Sequence, residues 1–152
     1  MVSAQCVWEG EELPLDIKEL VRGTDIPVVV GGCVNYHTAM HLMRTGAAGI
    51  VVGYGATEGI TTTGEVLGIN VAMATAIADA AAARRDYMEE SGGRYVHVIA
   101  NGDLNSSGDI AKAIACGADA VMAGPLLAQA QEAAGKGCLL YTSDAADDMQ
   151  CV

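Results

Sequence analysis

The chain has 152 residues, of which 51% are hydrophobic and 4% aromatic, and its richness in Ala, Gly and Val favours an α/β domain of ordinary size. Its formal net charge of -11 argues against binding to nucleic acid or to anionic membranes, because those surfaces are held by clustered Lys and Arg. A small phosphate ligand is not excluded, since backbone N–H groups at helix N-termini and glycine turns bind phosphate without a net positive charge.

The first predicted elements are short. Met1 to Val7 is predicted to hold the end of an early strand, and Leu13 to Ile26 is predicted to form a helix. The apolar residues Ile17, Leu20 and Val21 recur at helical spacing in that helix, so we expect them to face the core.

Two later segments, Pro27 to Gly55 and Tyr95 to Pro125, repeat one layout at an offset of about 70 residues. Each begins with a β-branched apolar run, Val28 to Val30 or Val96 to Ile99. Such continuous runs are typical of parallel strands covered on both faces, and each one ends near a glycine. Each unit therefore predicts a strand followed by a glycine turn.

A helix and a second strand follow in each unit. The apolar faces of the helices are Ala39, Leu42 and Met43 in the first unit and Ile110, Ala113 and Ile114 in the second. Thr38 and Ser107 lie near the predicted N-caps, and Gly46 and Gly117 suit the left-handed turn that ends a helix. The predicted second strands are Ile50 to Val52 and Ala120 to Met122.

An Ala-rich helix from Ala72 to Gly93 joins the two units, so strands and helices alternate along the chain. Sequential right-handed βα units make either a doubly wound parallel sheet or a (β/α)8 barrel. A closed barrel normally needs about 250 residues. Residues 1–137 would make roughly half of such a barrel, and both architectures stay open at this point.

Residues 138–152, "CLLYTSDAADDMQCV", depart from this pattern and have no helical or strand periodicity. They resemble a translated sequencing adapter, so we interpret them as a non-native, disordered tail. The five cysteines show no CxxC pair, which favours buried free thiols over a zinc site or a disulfide framework. With no signal-peptide pattern and no apolar run of about 20 residues, we expect a cytoplasmic location.

Longer motifs occur together in the order "GGCV", "HLMRTGAAG", "AIADAAAARRDYMEESGGRYVHVIA" and "SGDIAKAIACGADAVM". With the loop at 53–68, "GYGATEGITTTGEVLG", they make residues 1–137 resemble the inosine monophosphate dehydrogenase and guanosine monophosphate reductase family. The similarity is greatest to the branch labelled IMP dehydrogenase-related. The resemblance implies that residues 1–137 form a partial (β/α)8 TIM barrel of about four parallel strands with intervening helices, whose active site lies at the carboxyl ends of the strands.

In that family the loop carries a cysteine that attacks the purine, and the resemblance places its position at Thr61, with Thr63 matching a family threonine. A threonine hydroxyl needs an activating base, whereas a cysteine readily forms a thiolate, so we expect impaired catalysis. No cysteine lies between Cys33 and Cys116 to take its place. The resemblance also implies NAD or NADP contacts at Gly31, Gly32, Gly53 and Gly55, and a potassium ion near Gly53 and Gly55.

The implied substrate contacts come from the second unit. Asn101 stands where the family has an aspartate that grips the ribose hydroxyls, and an amide binds a diol more weakly than a carboxylate does. Gly102 keeps a phosphate-binding glycine, whereas the Asp103 carboxylate would repel a phosphate. In the later phosphate loop Gly124 keeps its N–H, but Pro125 has neither hydroxyl nor N–H.

The reaction implied by the resemblance is IMP + NAD + water to XMP + NADH, in guanine nucleotide synthesis. Reduction of GMP to IMP with NADPH is the alternative of the same class. Because Thr61 replaces the cysteine, a non-catalytic purine-nucleotide binder or an inactive, self-associating partial barrel is the further alternative. We expect a homo-oligomer, a tetramer in the intact family, that binds a purine nucleoside monophosphate and neither nucleic acid nor membrane.

Two pairs of residues are interpreted as structural. His37 and His41 are four apart on one helix, but no carboxylate or cysteine lies nearby to complete a metal site, so we expect surface or packing histidines. Arg84 and Arg85 are interpreted as a solvated helix end and not as a phosphate clamp.

Overall fold

A computed structural model describes residues 2–3, 16–54, 71–102 and 104–128, together with 130 and 132. The predicted tail, 138–152, lies outside these residues. The described strands are β1 (Val2–Ser3), β2 (Val29–Cys33), β3 (Gly49–Val52), β4 (His97–Ala100) and β5 (Ala120–Val121). The described helices are α1 (Ile17–Arg22), α2 (Tyr36–Arg44), α3 (Met73–Glu90), α4 (Ser107–Ala115) and α5 (Gly124–Ala128).

The strand order decides between the two architectures that alternating strands and helices allow. All neighbouring strands are parallel, and the order in the sheet is β1-β2-β3-β4-β5. A doubly wound sheet reverses its strand order at a switch point, whereas the wall of a TIM barrel runs in sequence order. The structure is therefore an α/β fold with the strand order of part of a (β/α)8 barrel, as predicted, and β1 lies within the predicted early strand.

The register places the carboxyl ends of β3 and β4 side by side. Gly49 is opposite His97, and the pairing continues without interruption to Val52 opposite Ala100. The register between β2 and β3 shifts after Gly31. Because parallel strands share one direction, all their carboxyl ends lie at the same edge of the sheet, which we call the carboxyl rim.

The core lies between one face of the sheet and the helices. On the sheet it is formed by alternate strand residues, and on α2 by the face predicted from the sequence. These residues are Val30, Ile50, Val52, Val98 and Ala100 on the strands and Ala39, Leu42 and Met43 on α2. From α3 the core takes mainly small residues, Ala76, Ala80 and Ala83 with Ile77. Small side chains allow a helix to approach its neighbours closely, so α3 packs tightly against α2 and the sheet.

The helix ends follow from identifiable side chains. The Asn35 side chain accepts from Thr38 N at the start of α2, and Ser106 accepts from Asp109 N at the start of α4. The caps thus lie slightly earlier than Thr38 and Ser107, because the residue that accepts the N–H of the third helical residue must precede the helix. Gly46 and Gly117 follow α2 and α4 with φ of 96° and 114°, as predicted.

Two apolar residues predicted to face inward are exposed. Leu20 is 36% exposed, because α1 has only six residues and Ile17 makes its contact with the core. Ile114 is 47% exposed, because α4 lies beside the last strand of the sheet and no described element packs against its outer flank. Val21 is half-buried.

Arg84 is not a solvated helix end, which corrects the prediction for it. Its guanidinium lies 2.5 Å from the carboxylate of Asp119 and 4.9 Å from the centre of the Tyr95 ring. Asp119 also accepts from the Tyr95 hydroxyl at 2.5 Å and from Val98 N at 2.8 Å. This network ties α3 to the amino ends of β4 and β5, whereas Arg85 is exposed.

None of the described helices is long and apolar enough to cross a bilayer.

Candidate functional site

Backbone hydrogen bonds hold the strand ends level at the carboxyl rim. They join Gly53 N to Cys33 O at 2.8 Å, Asn101 N to Val52 O at 2.7 Å, and Met122 N to Ala100 O at 2.8 Å. Each bond connects the end of one strand to the end of the next. The residues that follow β2, β3, β4 and β5 therefore start from one edge of the sheet.

Glycines at this rim allow the backbones to touch. Gly53 has a φ of 95°, and a Cβ placed on it would overlap the carbonyl oxygen of Asn101 and lie 3.0 Å from the sulfur of Met73. A Cβ on Gly32 would overlap the carbonyl oxygen of Gly53 and lie 2.9 Å from Cδ1 of Tyr54. Only glycine fits at either position, so the ends of β2, β3 and β4 are in direct backbone contact.

Gly31 and Gly32, predicted to contact a nicotinamide cofactor, are buried inside β2. A Cβ on Gly31 would lie 2.6 Å from the Cβ of Val51. Among the described residues, the two glycines therefore contact β3 and the residues at its end. Close packing against β3 explains why both positions are glycine, and their contact with a cofactor stays a prediction.

The predicted substrate residues fall along the same rim. Asn101 follows β4 directly and is half-buried, and Gly102 is buried with a φ of 152°. Gly124 is exposed, begins α5, and has open space where a side chain would stand. Pro125 is the second residue of α5. Asp103, Thr61, Thr63 and Gly55 lie outside the described residues.

Cys33 ends β2 at the rim but cannot act as a nucleophile in this structure. It is fully buried, and its Sγ donates to Val51 O at 3.5 Å. Burial raises the pKa of the Cys33 thiol to about 12, so almost none of it is thiolate at neutral pH. Cys33 and the half-buried Cys116 are both free thiols, as the cysteine pattern predicts.

The potassium ion expected near Gly53 and Gly55 stays a prediction, because Gly55 lies outside the described residues. The Gly53 carbonyl oxygen lies against the backbone of Gly32. In the described ranges, no group of three or more His, Cys, Asp or Glu side chains is placed to hold a metal ion. His37 and His41 are exposed on α2, and the His37 ring packs edge-on against Tyr36.

The structure adds two residues to the rim that the motifs do not single out. Met73, the first residue of α3, is half-buried with its sulfur beside Gly53. Tyr54 follows Gly53 and is 50% exposed. The only sequence signal for Tyr54 is its place between two glycines after a strand, which is too short to be specific.

Comparison with known proteins gives consistent similarities. A family model described as IMP dehydrogenase / GMP reductase domain matches residues 12–146. An uncharacterized oxidoreductase of Mycobacterium leprae is 64% identical over 137 residues, which are 90% of this chain and 36% of that protein. The inosine-5'-monophosphate dehydrogenase of Methanocaldococcus jannaschii is 43% identical over 119 residues, 78% of this chain and 22% of that protein.

A solved structure is also similar to this chain. The crystal structure of an IMP dehydrogenase/GMP reductase-like protein from Corynebacterium glutamicum matches with a TM-score of 0.75 and 57% identity, over 84% of this chain and 33% of that one. This chain therefore spans about a third or less of the length of these relatives, at 36%, 22% and 33%.

Proposed function

This chain belongs to the IMP dehydrogenase / GMP reductase family, and on that premise we propose that it is part of an oxidoreductase barrel and binds a purine nucleoside monophosphate at its carboxyl rim. The observation that carries the proposal is the contact among Gly32, Gly53 and Asn101 at the ends of three neighbouring strands. In barrels of this kind the ligand is held by residues that follow successive strands. A mononucleotide needs such convergence, because its ribose and phosphate are bound by different loops.

The proposed reaction of the whole protein is oxidation of IMP to XMP with NAD and water. When bound, the nicotinamide would accept the hydride that leaves the purine. Reduction of GMP to IMP with NADPH is the alternative within the same class. We further propose a cytoplasmic homo-oligomer, as the family resemblance implies.

In this proposal Asn101 binds the ribose. Its amide is half-buried directly after β4 and offers one acceptor and two donors to a diol. Gly102 and the exposed Gly124 would supply backbone groups toward the phosphate, where Pro125 has no N–H to add. The hydrogen bonds are neutral on the protein side, so we expect weaker ribose binding than a carboxylate would give.

A specific observation favours the second candidate function, a purine-nucleotide binder with little or no turnover. Among the described residues the thiol nearest the rim, Cys33, is buried with a pKa raised to about 12. The position predicted for the nucleophile is Thr61, whose hydroxyl needs a base to be activated. We therefore expect this chain to bind the nucleotide with little or no catalytic turnover.

Calorimetric titration of the full chain with IMP, alongside NADH absorbance in the presence of IMP and NAD, tests the proposal. We expect binding with little turnover, weaker binding for Asn101→Ala, and tighter binding for Asn101→Asp. Asn105→Asp is the matched control, because it adds the same charge at an exposed position four residues away. A gain of turnover in Thr61→Cys with Asn101→Asp would support the enzyme over the binder.

The proposal is wrong if the folded chain binds neither IMP nor GMP. It is also wrong if Asn105→Asp changes IMP affinity as much as Asn101→Asp does, because the effect would then be one of net charge and not of contact at Asn101.

A further inference from the structure

Tyr54 occupies a distinctive place at the carboxyl rim. It follows Gly53 directly, and its Cδ1 would be 2.9 Å from a Cβ placed on Gly32. The missing side chain of Gly32 thus makes room for the tyrosine ring, which rests against the backbone of β2. The residue is nevertheless 50% exposed, so part of the ring surface is open.

The other described tyrosines are engaged in the fold. The Tyr36 hydroxyl donates to Asp86 at 2.6 Å, and the Tyr95 hydroxyl donates to Asp119 at 2.5 Å. Tyr87 belongs to α3 and is buried in the core. Within the described ranges no hydrogen-bond partner holds the Tyr54 hydroxyl.

Gly53 places Tyr54 close to Asn101, the proposed ribose-binding residue. The Cα of Gly53 contacts the Asn101 carbonyl oxygen, and the next residue along the chain is Tyr54. A nucleotide whose ribose is held at Asn101 would carry its base within reach of that ring. Resting on the proposed function, we propose that Tyr54 provides the aromatic surface on which the purine base of the bound nucleotide stacks.

The chemistry of the ring suits this role. A purine has a π-face whatever its substituents, so stacking on an aromatic ring does not require the base to be read by hydrogen bonds. Burial raises the pKa of Tyr54 above its ordinary value, and the neighbouring Cys33 raises it further. The phenol is therefore neutral at physiological pH and does not repel the phosphate group of the ligand.

Titration of the full chain with IMP and with ribose 5-phosphate, which lacks the base, tests the role of Tyr54. Tyr54→Ala should weaken IMP binding by roughly 5- to 150-fold, the usual range for removal of one aromatic stack. It should leave the affinity for ribose 5-phosphate unchanged. Tyr54→Phe should bind IMP like the unchanged protein, and Tyr54→Leu, which keeps bulk over Gly32 without a π-face, should bind IMP less tightly than Phe does.

Each other outcome has a distinct meaning. If the unchanged chain binds IMP and Tyr54→Ala binds it equally well, this inference is wrong and the proposed function stands. If Tyr54→Ala and Tyr54→Leu lose IMP and ribose 5-phosphate in parallel, the ring is structural and the inference is wrong. A loss of nicotinamide mononucleotide affinity with IMP unaffected would assign the ring to the cofactor instead. If the unchanged chain binds neither IMP nor ribose 5-phosphate, the proposed function fails together with this inference.

Discussion

The Cα of Gly53, at the end of β3, lies so close to the carbonyl oxygen of Asn101, at the end of β4, that no side chain fits between them. The same strand ends are joined by a 2.7 Å hydrogen bond from Asn101 N to Val52 O. The positive φ of Gly53, 95°, also favours glycine. Space and conformation thus both require glycine at this position, and the close contact fixes Asn101, the proposed ribose-binding residue, relative to Gly53 and Tyr54.

Gly53→Ala is expected to destabilise the fold more than a positive φ alone explains. The conformation costs a non-glycine residue about 1–2 kcal/mol, and the overlap with Asn101 must be relieved by moving a strand end. Gly93→Ala is the matched control, because Gly93 has a φ of 104° with nothing within 4 Å of an added Cβ. Urea unfolding of both variants should show a clearly larger loss for Gly53→Ala, whereas equal losses would contradict the close approach of β3 and β4.

The sequence predicts those elements whose signal is local. The apolar face of α2, Ala39, Leu42 and Met43, follows from helical spacing, and its residues are all buried. Gly46 and Gly117 end their helices because a residue in the left-handed conformation is needed there, and a single glycine in the sequence is enough to indicate it. Periodicity alone allows two architectures, because strand order depends on pairing between segments far apart in the chain.

The features that were missed depend on which elements meet in space. The sequence predicts a solvated charge at Arg84 because its partner, Asp119, lies 35 residues away. Ile114 has the helical spacing of a core residue, but it lies on a flank that no described element covers. Tyr54 gains its place at the rim only through the absence of a side chain at Gly32. Sequence periodicity carries no information on such contacts.

Cys33 is expected to resist alkylation in the folded protein. A shift of the thiol pKa from 9.0 to about 12 lowers the thiolate fraction at pH 8 by roughly a thousandfold, and burial further denies access. Iodoacetamide labelling followed by peptide mass analysis should leave Cys33 unmodified in buffer and modify it in urea. Cys116, which is half-buried, is the internal comparison. Rapid labelling of Cys33 in the folded state would contradict its burial and its raised pKa.

The edge of the sheet at β5 is expected to promote self-association. Among the described strands β5 pairs with β4 alone, and the apolar side chains near it, Ile114, Met122 and Leu127, are 47%, 42% and 68% exposed. Exposed strand edges beside apolar surface are sites of chain-to-chain contact. Ile114→Lys should therefore reduce the concentration-dependent sedimentation of the full chain.

Met88→Lys is the matched control for this experiment, since Met88 is 38% exposed on α3. Equal behaviour of the two variants, or a monomer at every concentration tested, would contradict a role for the β5 edge.

Asp119 is expected to make the stability of the fold depend on acid pH. Burial by itself would raise the pKa of Asp119, but hydrogen bonds from Tyr95 and Val98 and the charge of Arg84 outweigh burial and lower it below 3.8. A carboxylate with a lowered pKa in the folded state contributes stability above its unfolded pKa and loses that contribution as the pH falls through the folded value. The free energy of unfolding should therefore decrease as the pH is lowered below about 4.

Asp119→Asn separates this contribution from those of other carboxylates. It should cost about 1–2 kcal/mol at pH 7, since it weakens several hydrogen bonds at a partly solvated site, and the cost should shrink as the pH approaches 2. Asp109→Asn is the comparison. Lys112 and then Ser106 lower the pKa of Asp109 to about 2, but these contacts stay at one helix end and do not join two strands to a helix. Urea unfolding from pH 7 to pH 2 measures both. A constant cost of Asp119→Asn over that range would mean that the Asp119 carboxylate does not stabilise the junction of α3, β4 and β5 through its charge.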